Sequence, residues 1–380
     1  MRDTVYLDHA ATTIMDSRVI DLVAEVMRSD FGNAGSRTHE FGLAALRHVS
    51  AAREAIAAAI GASTDEIVFT SGATESNNIA LLGLAEHGIA TGRRHIVSTA
   101  IEHKAVLEPL GLLGSRGFEI ELIRPSCHGH VDADMVLAAM RPDTLLVSVM
   151  HGNNETGAVQ PIKAIASGMD PDGAFLHVDA AQTFGRATDA LRNPRIDLTS
   201  LSAHKVFGPK GVGALVVRRR GLRRPPISPQ VVGGGQERGL RPGTLPVPLI
   251  AGFGLAASLA IKEEAARASV CAATRADALA ALAPLQPMVH GGTGDDVLPN
   301  ILSVAMPGVD SEAMMVALKG VAAISNGSAC TSSRYEPSHV LVAMGLNEDE
   351  VAGTVRLSWS HATGAVPWDE IASRLSDLRI

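Results

Sequence analysis

At 380 residues, with 46% hydrophobic and 19% charged residues, the chain has enough apolar material for a sizeable core and about two domains. A formal net charge of -7 argues against general affinity for nucleic acid or an anionic membrane. The three cysteines, Cys127, Cys271 and Cys330, are too scattered for a disulfide framework and form no CxxC zinc pair, which fits a reducing cytoplasm.

The opening MRDTVYLDHAATT carries acids where a signal peptide needs an apolar run. EIVFT (Glu66–Thr70) is the first predicted strand, followed by a helical ATESNNIALLGLAEHG. HIVSTA (His95–Ala100) leads into a helical HKAVLEPLGLLGSRG, and LLVSVM (Leu145–Met150) and FLHVDA (Phe175–Ala180) come next. LTSLSA (Leu198–Ala203) and GALVVRR (Gly213–Arg219) complete the series. Short, continuously apolar strands separated by helices predict a mostly parallel sheet covered on both faces. From Ala251 the pattern turns helical, with Leu249 to Ile261 the longest apolar stretch and short of the ~18 residues of a membrane span. NILSVAM (Asn300–Met306) and TVRLSWS (Thr354–Ser360) are later strands. The expectation is an α/β protein with a large domain over 15–255 and a smaller α+β domain built from 1–14 and 256–380. RRRGLRRPP, from Arg218 to Pro226, is a charge run that reads either as a solvated face or as a patch for an acidic partner. It has no interleaved aromatics for base stacking.

Three places carry chemistry. Lys205, in LSAHKVFGPKG, follows an apolar strand and precedes a Gly/Pro-rich turn, where an amine can be desolvated and used as a Schiff base. Asp179 and Gln182, in FLHVDAAQ, end another buried strand, and an acid there suits a pyridinium nitrogen. In FTSGATESNN a strand runs through Ser71 and Gly72 into a helix, so the amides of Ala73 and Thr74 form a ready anion site. Singly these read as a surface lysine, a strand-end acid and a capped helix. Jointly they are what pyridoxal phosphate requires.

The sequence resembles the cysteine desulfurases of the NifS/IscS-like family, a branch of the fold-type I pyridoxal phosphate transferases. The resemblance spans nearly the whole chain: YLDHAATT, FGNAGSRTH, IVFTSGATESNN, EHKAVLEP, NNETGAVQPI, HVDAAQ, SAHKVFGPKGVGAL, GGGQERGLRPGTLPV, PNILSV and NGSACTSS, in the family's order. It implies pyridoxal 5'-phosphate as cofactor, with Lys205 as the Schiff-base lysine, Asp179 on the ring nitrogen and Gln182 on the ring hydroxyl. His103 would stack on the ring and shuttle protons. Ala73, Thr74, Ser202 and His204 would hold the phosphate, with Thr244 reaching in from the second subunit of a homodimer. Asn154 and Arg356 would take the carboxylate of L-cysteine, Arg356 through a bidentate fork, and Asn33 would assist.

Cys330, on the polar stretch ISNGSACTSSR, becomes the nucleophile that attacks the substrate sulfur, leaving L-alanine and an enzyme persulfide. A persulfide must leave the site to be useful, which places its carrier on a moving loop. The resemblance points to the group with a long catalytic loop. Because attack needs atoms about 3–3.5 Å apart and delivery needs solvent, one static loop cannot do both, and Cys330 is expected to rest beyond attack distance of the cofactor. Cys127 reads as an idle loop cysteine and Cys271 as core. Two departures, Ala34 where the family commonly has proline and His9 where its members vary, touch no chemistry. The sequence stops at Ile380 without the longer tail that housekeeping members use to dock an iron–sulfur scaffold, so the sulfur-acceptor protein stays open between iron–sulfur assembly, tRNA thiolation and sulfur modification of the DNA backbone. A selenocysteine lyase or a cysteine β-lyase on the same fold is the alternative, and a β-lyase would not need Cys330.

Overall fold

The computed structural model describes residues 4–292, 294, 296–326 and 337–378. Its strands, in chain order, are β1 (Val5–Tyr6), β2 (Ile67–Thr70), β3 (His95–Thr99), β4 (Glu119–Ile123), β5 (Thr144–Met150) and β6 (Phe175–Asp179). They continue with β7 (Leu198–Ser202), β8 (Gly213–Val217), β9 (Met288–His290), β10 (Ile301–Ala305), β11 (Ala322–Ala323) and β12 (Thr354–Ser358). A seven-stranded sheet has the order β2-β8-β7-β6-β5-β3-β4. All its pairings are parallel except those of β8, which runs antiparallel to both neighbours. The expected mostly parallel sheet is therefore present, with one reversed strand that periodicity alone could not reveal.

Both faces of the sheet are covered, which is why β5 (TLLVSVM) is buried at every position. Alternate residues go to opposite sides. Val97, Val147, Leu176 and Val178 join the long helices Ser17–Ser29, Glu40–Ile60 and Val247–Lys262 in one core. Ile96, Leu146 and Leu215 join Ile79, Val106 and Leu110, from the helices Ala73–Gly83 and Lys104–Ser115, in another. The core is aliphatic, as an aromatic-poor chain requires.

A third core lies around the antiparallel sheet β12-β10-β9, where Leu302, Val304, Val355 and Trp359 pack with Cys271 and with Leu7 from the N-terminal stretch. Strand β1 pairs in parallel with β11, Val5 opposite Ala322. The helix His339–Ala343 turns the other way, placing Val340 and Leu341 in the core of the seven-stranded sheet. No helix among the described residues is long and apolar enough to cross a membrane.

Candidate active site

Strands β3, β5, β6 and β7 end on the same edge of the sheet, and each hands its next residues to one cavity of about 450 Å³. Ala73, Thr74, His103, Asn154, Asp179, Gln182, Ser202, His204, Lys205 and Arg356, far apart in sequence, all line it. Thr244 and Asn33 are exposed and are not among its lining residues; Asn33 Oδ1 instead accepts from the Gly35 N–H at 2.9 Å. Cys330, and with it the expected resting position of its loop, lies outside the described residues.

Asp179, the last residue of β6, is buried. Its Oδ2 accepts from Asn77 Nδ2 at 2.7 Å and its Oδ1 from the Ala181 N–H at 2.9 Å. Gln182 donates through Nε2 to the Ala10 carbonyl at 2.9 Å, while its Oε1 is buried without a partner among the described residues. Lys205 ends a single 3-10 turn after β7, and its Nζ donates to the carbonyls of Ala10 and, at 2.9 Å, Ala11. The N-terminal stretch thus holds the lysine through backbone atoms. His204 is tied to the same stretch, Nδ1 lying 3.1 Å from Thr12 Oγ1. Burial first, then the charges of Lys205, Lys210 and Arg186, pushes its pKa down to about 4.

The turn from β2 into the helix Ala73–Gly83 passes through Gly72, whose φ of 156° and ψ of -178° suit only glycine. Gly213 lets β8 approach this turn, since a Cβ there would stand 2.6 Å from Gly72 Cα. No side chain among the described residues caps the helix, and Ala73 and Thr74 at its start line the cavity, which leaves its first amides as a cradle for an anion.

His103 caps the helix Lys104–Ser115, its Nδ1 accepting from the Ala105 N–H at 3.0 Å. Burial lowers its pKa, an effect that nearby Asp179 opposes and Lys205 reinforces. A neutral ring whose Nδ1 accepts must carry its proton on Nε2. Glu102, just before it, is fully buried, and its Oε1 accepts from Thr99 Oγ1 and from the Met150 N–H, each at 2.7 Å. Desolvation pushes its pKa up to about 8.

Arg356, buried on β12, donates through Nη1 to the Asn154 carbonyl at 2.8 Å and through Nη2 to Asp8 Oδ1 at 2.7 Å. Asp8 and Asn77 were not singled out in the sequence; Asp8 sits in YLDHAATT and Asn77 in ATESNN, motifs read there for other residues. Cys271 is buried and Cys127 exposed, as expected.

The arginine run is mostly committed within the fold. Arg218 is buried and donates to the carbonyls of Gly61, Ile60 and Leu191, Arg220 grips Asp197 with two nitrogens, and Arg219 and Arg224 both pair with Asp65. Arg223, exposed beside the 96% exposed Leu222, has neither an ion pair nor a side-chain hydrogen bond among the described residues. The patch reading is much reduced.

The sequence matches the family model for aminotransferase class-V over residues 5–365, and the chain belongs to that family. Within it, the chain is a member of the cysteine desulfurases. It is 45% identical over 364 residues to "Cysteine desulfurase IscS" of Anaeromyxobacter sp. (strain Fw109-5), covering 96% of this chain and 89% of the relative. Among solved structures, a NifS-like protein superposes with a TM-score of 0.88 at 35% identity, covering 100% of this chain and 98% of the other. DndA from Streptomyces lividans superposes at 0.82 with 50% identity, covering 93% and 99%.

Proposed function

We propose that this enzyme binds pyridoxal 5'-phosphate in the 450 Å³ cavity and converts L-cysteine to L-alanine, leaving a persulfide on Cys330 for transfer to an acceptor protein. The observation that carries the reading is the buried Asp179 carboxylate, held on both oxygens in the same cavity as Lys205. Three features fit the cofactor: an acid with no cation bonded to it, a Gln182 Oε1 without a partner, and a helix start behind Gly72 without a side-chain cap, all among the described residues. When bound, the cofactor supplies an electron sink for the charge left at the substrate Cα.

The chain's own residues do the rest. Asp179 keeps a proton on the ring nitrogen, and Gln182 meets the ring hydroxyl. Ala73, Thr74, Ser202 and His204 hold the phosphate, with Thr244 supplied by a second subunit of a homodimer. The exposed Phe31 and Phe41, whose rings lie 5.4 Å apart, with Val231 and Val232, give such a dimer apolar surface to cover. Arg356, with Asn154 and Asn33, takes the substrate carboxylate, which would have to share the guanidinium with Asp8. Lys205 takes the Cα proton, and His103 delivers or removes a proton at Nε2. The thiolate of Cys330 forms an S–S bond as the substrate C–S bond breaks, so cysteine and a thiol give alanine and a persulfide with no outside oxidant.

The two-domain division, 15–255 against 1–14 with 256–380, is part of the proposal and is supported by Leu7 packing with Cys271, Val304 and Trp359 rather than with the large sheet. The expected setting is the cytoplasm, with no direct contact to nucleic acid or membrane. The test is chemical. The holoenzyme should absorb as a yellow protein; Lys205→Ala should make no alanine over repeated turnovers. Cys330→Ser should still change its spectrum on adding L-cysteine yet form no persulfide, while Cys127→Ser and Cys271→Ser stay near normal. Pyruvate and sulfide from the Cys330→Ser variant at the wild-type rate would mean a β-lyase instead.

A further inference from the structure

A second cavity, of about 30 Å³, is lined by Arg186, Phe207, Arg267, Cys271, Asn300 and His361 among others. Its polar groups do not balance. Arg186 donates Nη1 to the Gln182 carbonyl at 3.1 Å, its Nη2 is buried without an acceptor, and it has no ion pair among the described residues. Arg267 is buried and spends Nε and Nη2 on Glu263 Oε2, at 3.1 and 2.8 Å, with Asp16 Oδ2 3.8 Å from Nη2, leaving Nη1 buried and unmet among the described residues. Asn300 is 2% exposed, and neither Nδ2 nor Oδ1 has a partner among the described residues. Three N–H donors thus lack acceptors against one unmet acceptor. Glu264 is the acid among the lining residues; its Oε1 accepts from the Thr188 N–H at 3.1 Å, and it makes no ion pair with Arg186 or Arg267 among the described residues.

Buried polar groups are almost always satisfied, and a buried charge without a counter-ion is costly. Arg186 is the cation left without a counter-ion here, and Cys271 does not supply one, because burial pushes its thiol up to about 11 and keeps it neutral. Size narrows the occupant further. One water needs roughly 10–15 Å³ of such space, so the cavity admits two or three water-sized particles at most and no phosphate or organic acid.

We propose that this cavity binds a monovalent anion of chloride size, held by Arg186, Arg267 and the Asn300 amide. The site adjoins the main cavity through two residues. Arg186 fastens the backbone of Gln182, which lines that cavity. Phe207, two positions after Lys205, holds a positive φ of 65°, with its ring 4.6 Å from that of His361 and 4.9 Å from the Arg267 guanidinium. A bound anion would therefore brace the turn that carries the lysine.

Bromide is the probe. Wild-type crystals grown in sodium bromide should give an anomalous peak within hydrogen-bond reach of Arg186 and Asn300, and the absence of a peak there overturns the proposal. In solution the wild-type melting temperature should be higher in sodium chloride than in sodium gluconate at equal ionic strength. Asn300→Leu and Arg186→Met should abolish that difference, and its persistence in either variant counts against the site. Should Arg186→Met fail to fold, the wild-type bromide map and Asn300→Leu still decide.

Discussion

Asn77 reaches Asp179 from a helix 102 positions away in the chain, and supplies one of the two hydrogen bonds that fix the carboxylate. Asn77→Leu removes a bond to a charged group, worth about 1.5–3 kcal/mol. Pyridoxal phosphate binding should weaken roughly ten- to hundredfold, which equilibrium titration of the apoprotein checks. Glu102 gives a prediction of opposite character. Folded, it titrates at about 8 against an ordinary 4.5. Below the lower value both folded and unfolded chains hold the proton, and its burial is harmless. Between the two values only the unfolded chain gives the proton up, so this residue lowers stability as pH rises. The melting temperature of the wild type should fall more steeply from about pH 5 to pH 8 than that of Glu102→Gln; parallel curves would show that Glu102 ionises freely.

At the scale of elements, Arg218 acts as a clasp. Its guanidinium meets the carbonyls of Ile60 and Gly61, at the end of the helix Glu40–Ile60, and of Leu191. Truncating it to alanine strands buried carbonyls and should cost about 3 kcal/mol, seen as a lower denaturation midpoint. Arg223→Ala should change stability by less than about 0.5 kcal/mol. The sequence treated these arginines alike because composition carries no information on which nitrogen meets which carbonyl. The interior strands were legible, since a run such as TLLVSVM or FLHVD is buried throughout. Strand β4 was not, because it edges the sheet and its EIELI exposes both glutamates. His103 came from the resemblance, whereas Lys205 and Asp179 could be read from strand ends. The carbonyls of Ala10 and Ala11 could not, because a backbone acceptor leaves no mark on residue type. Asn33 and Thr244 came from resemblance alone, and a single chain does not bring them to the cavity.

At the scale of the molecule, the N-terminal stretch joins parts that the rest of the chain keeps separate. Leu7 is fully buried among residues of the antiparallel sheet, Asp8 holds Arg356, and Ala10 and Ala11 hold Lys205. Leu7→Ala should cost about 2–5 kcal/mol. Because the same stretch positions the lysine, cofactor affinity should fall together with stability; thermal melts and cofactor titration on one preparation test whether they move jointly.

That stretch also sets an order of assembly. Asp8 leaves the ribosome early, yet its partner Arg356 lies 348 positions later, and Val5 must wait for Ala322. Contacts of such long separation form late, after the loop-closure entropy has been met by other structure. The large sheet can collapse during synthesis, but Lys205 gains its settled surroundings only after β11 and β12 have been made. A nascent chain would therefore be unable to retain its cofactor, and cofactor capture should report completion of the polypeptide.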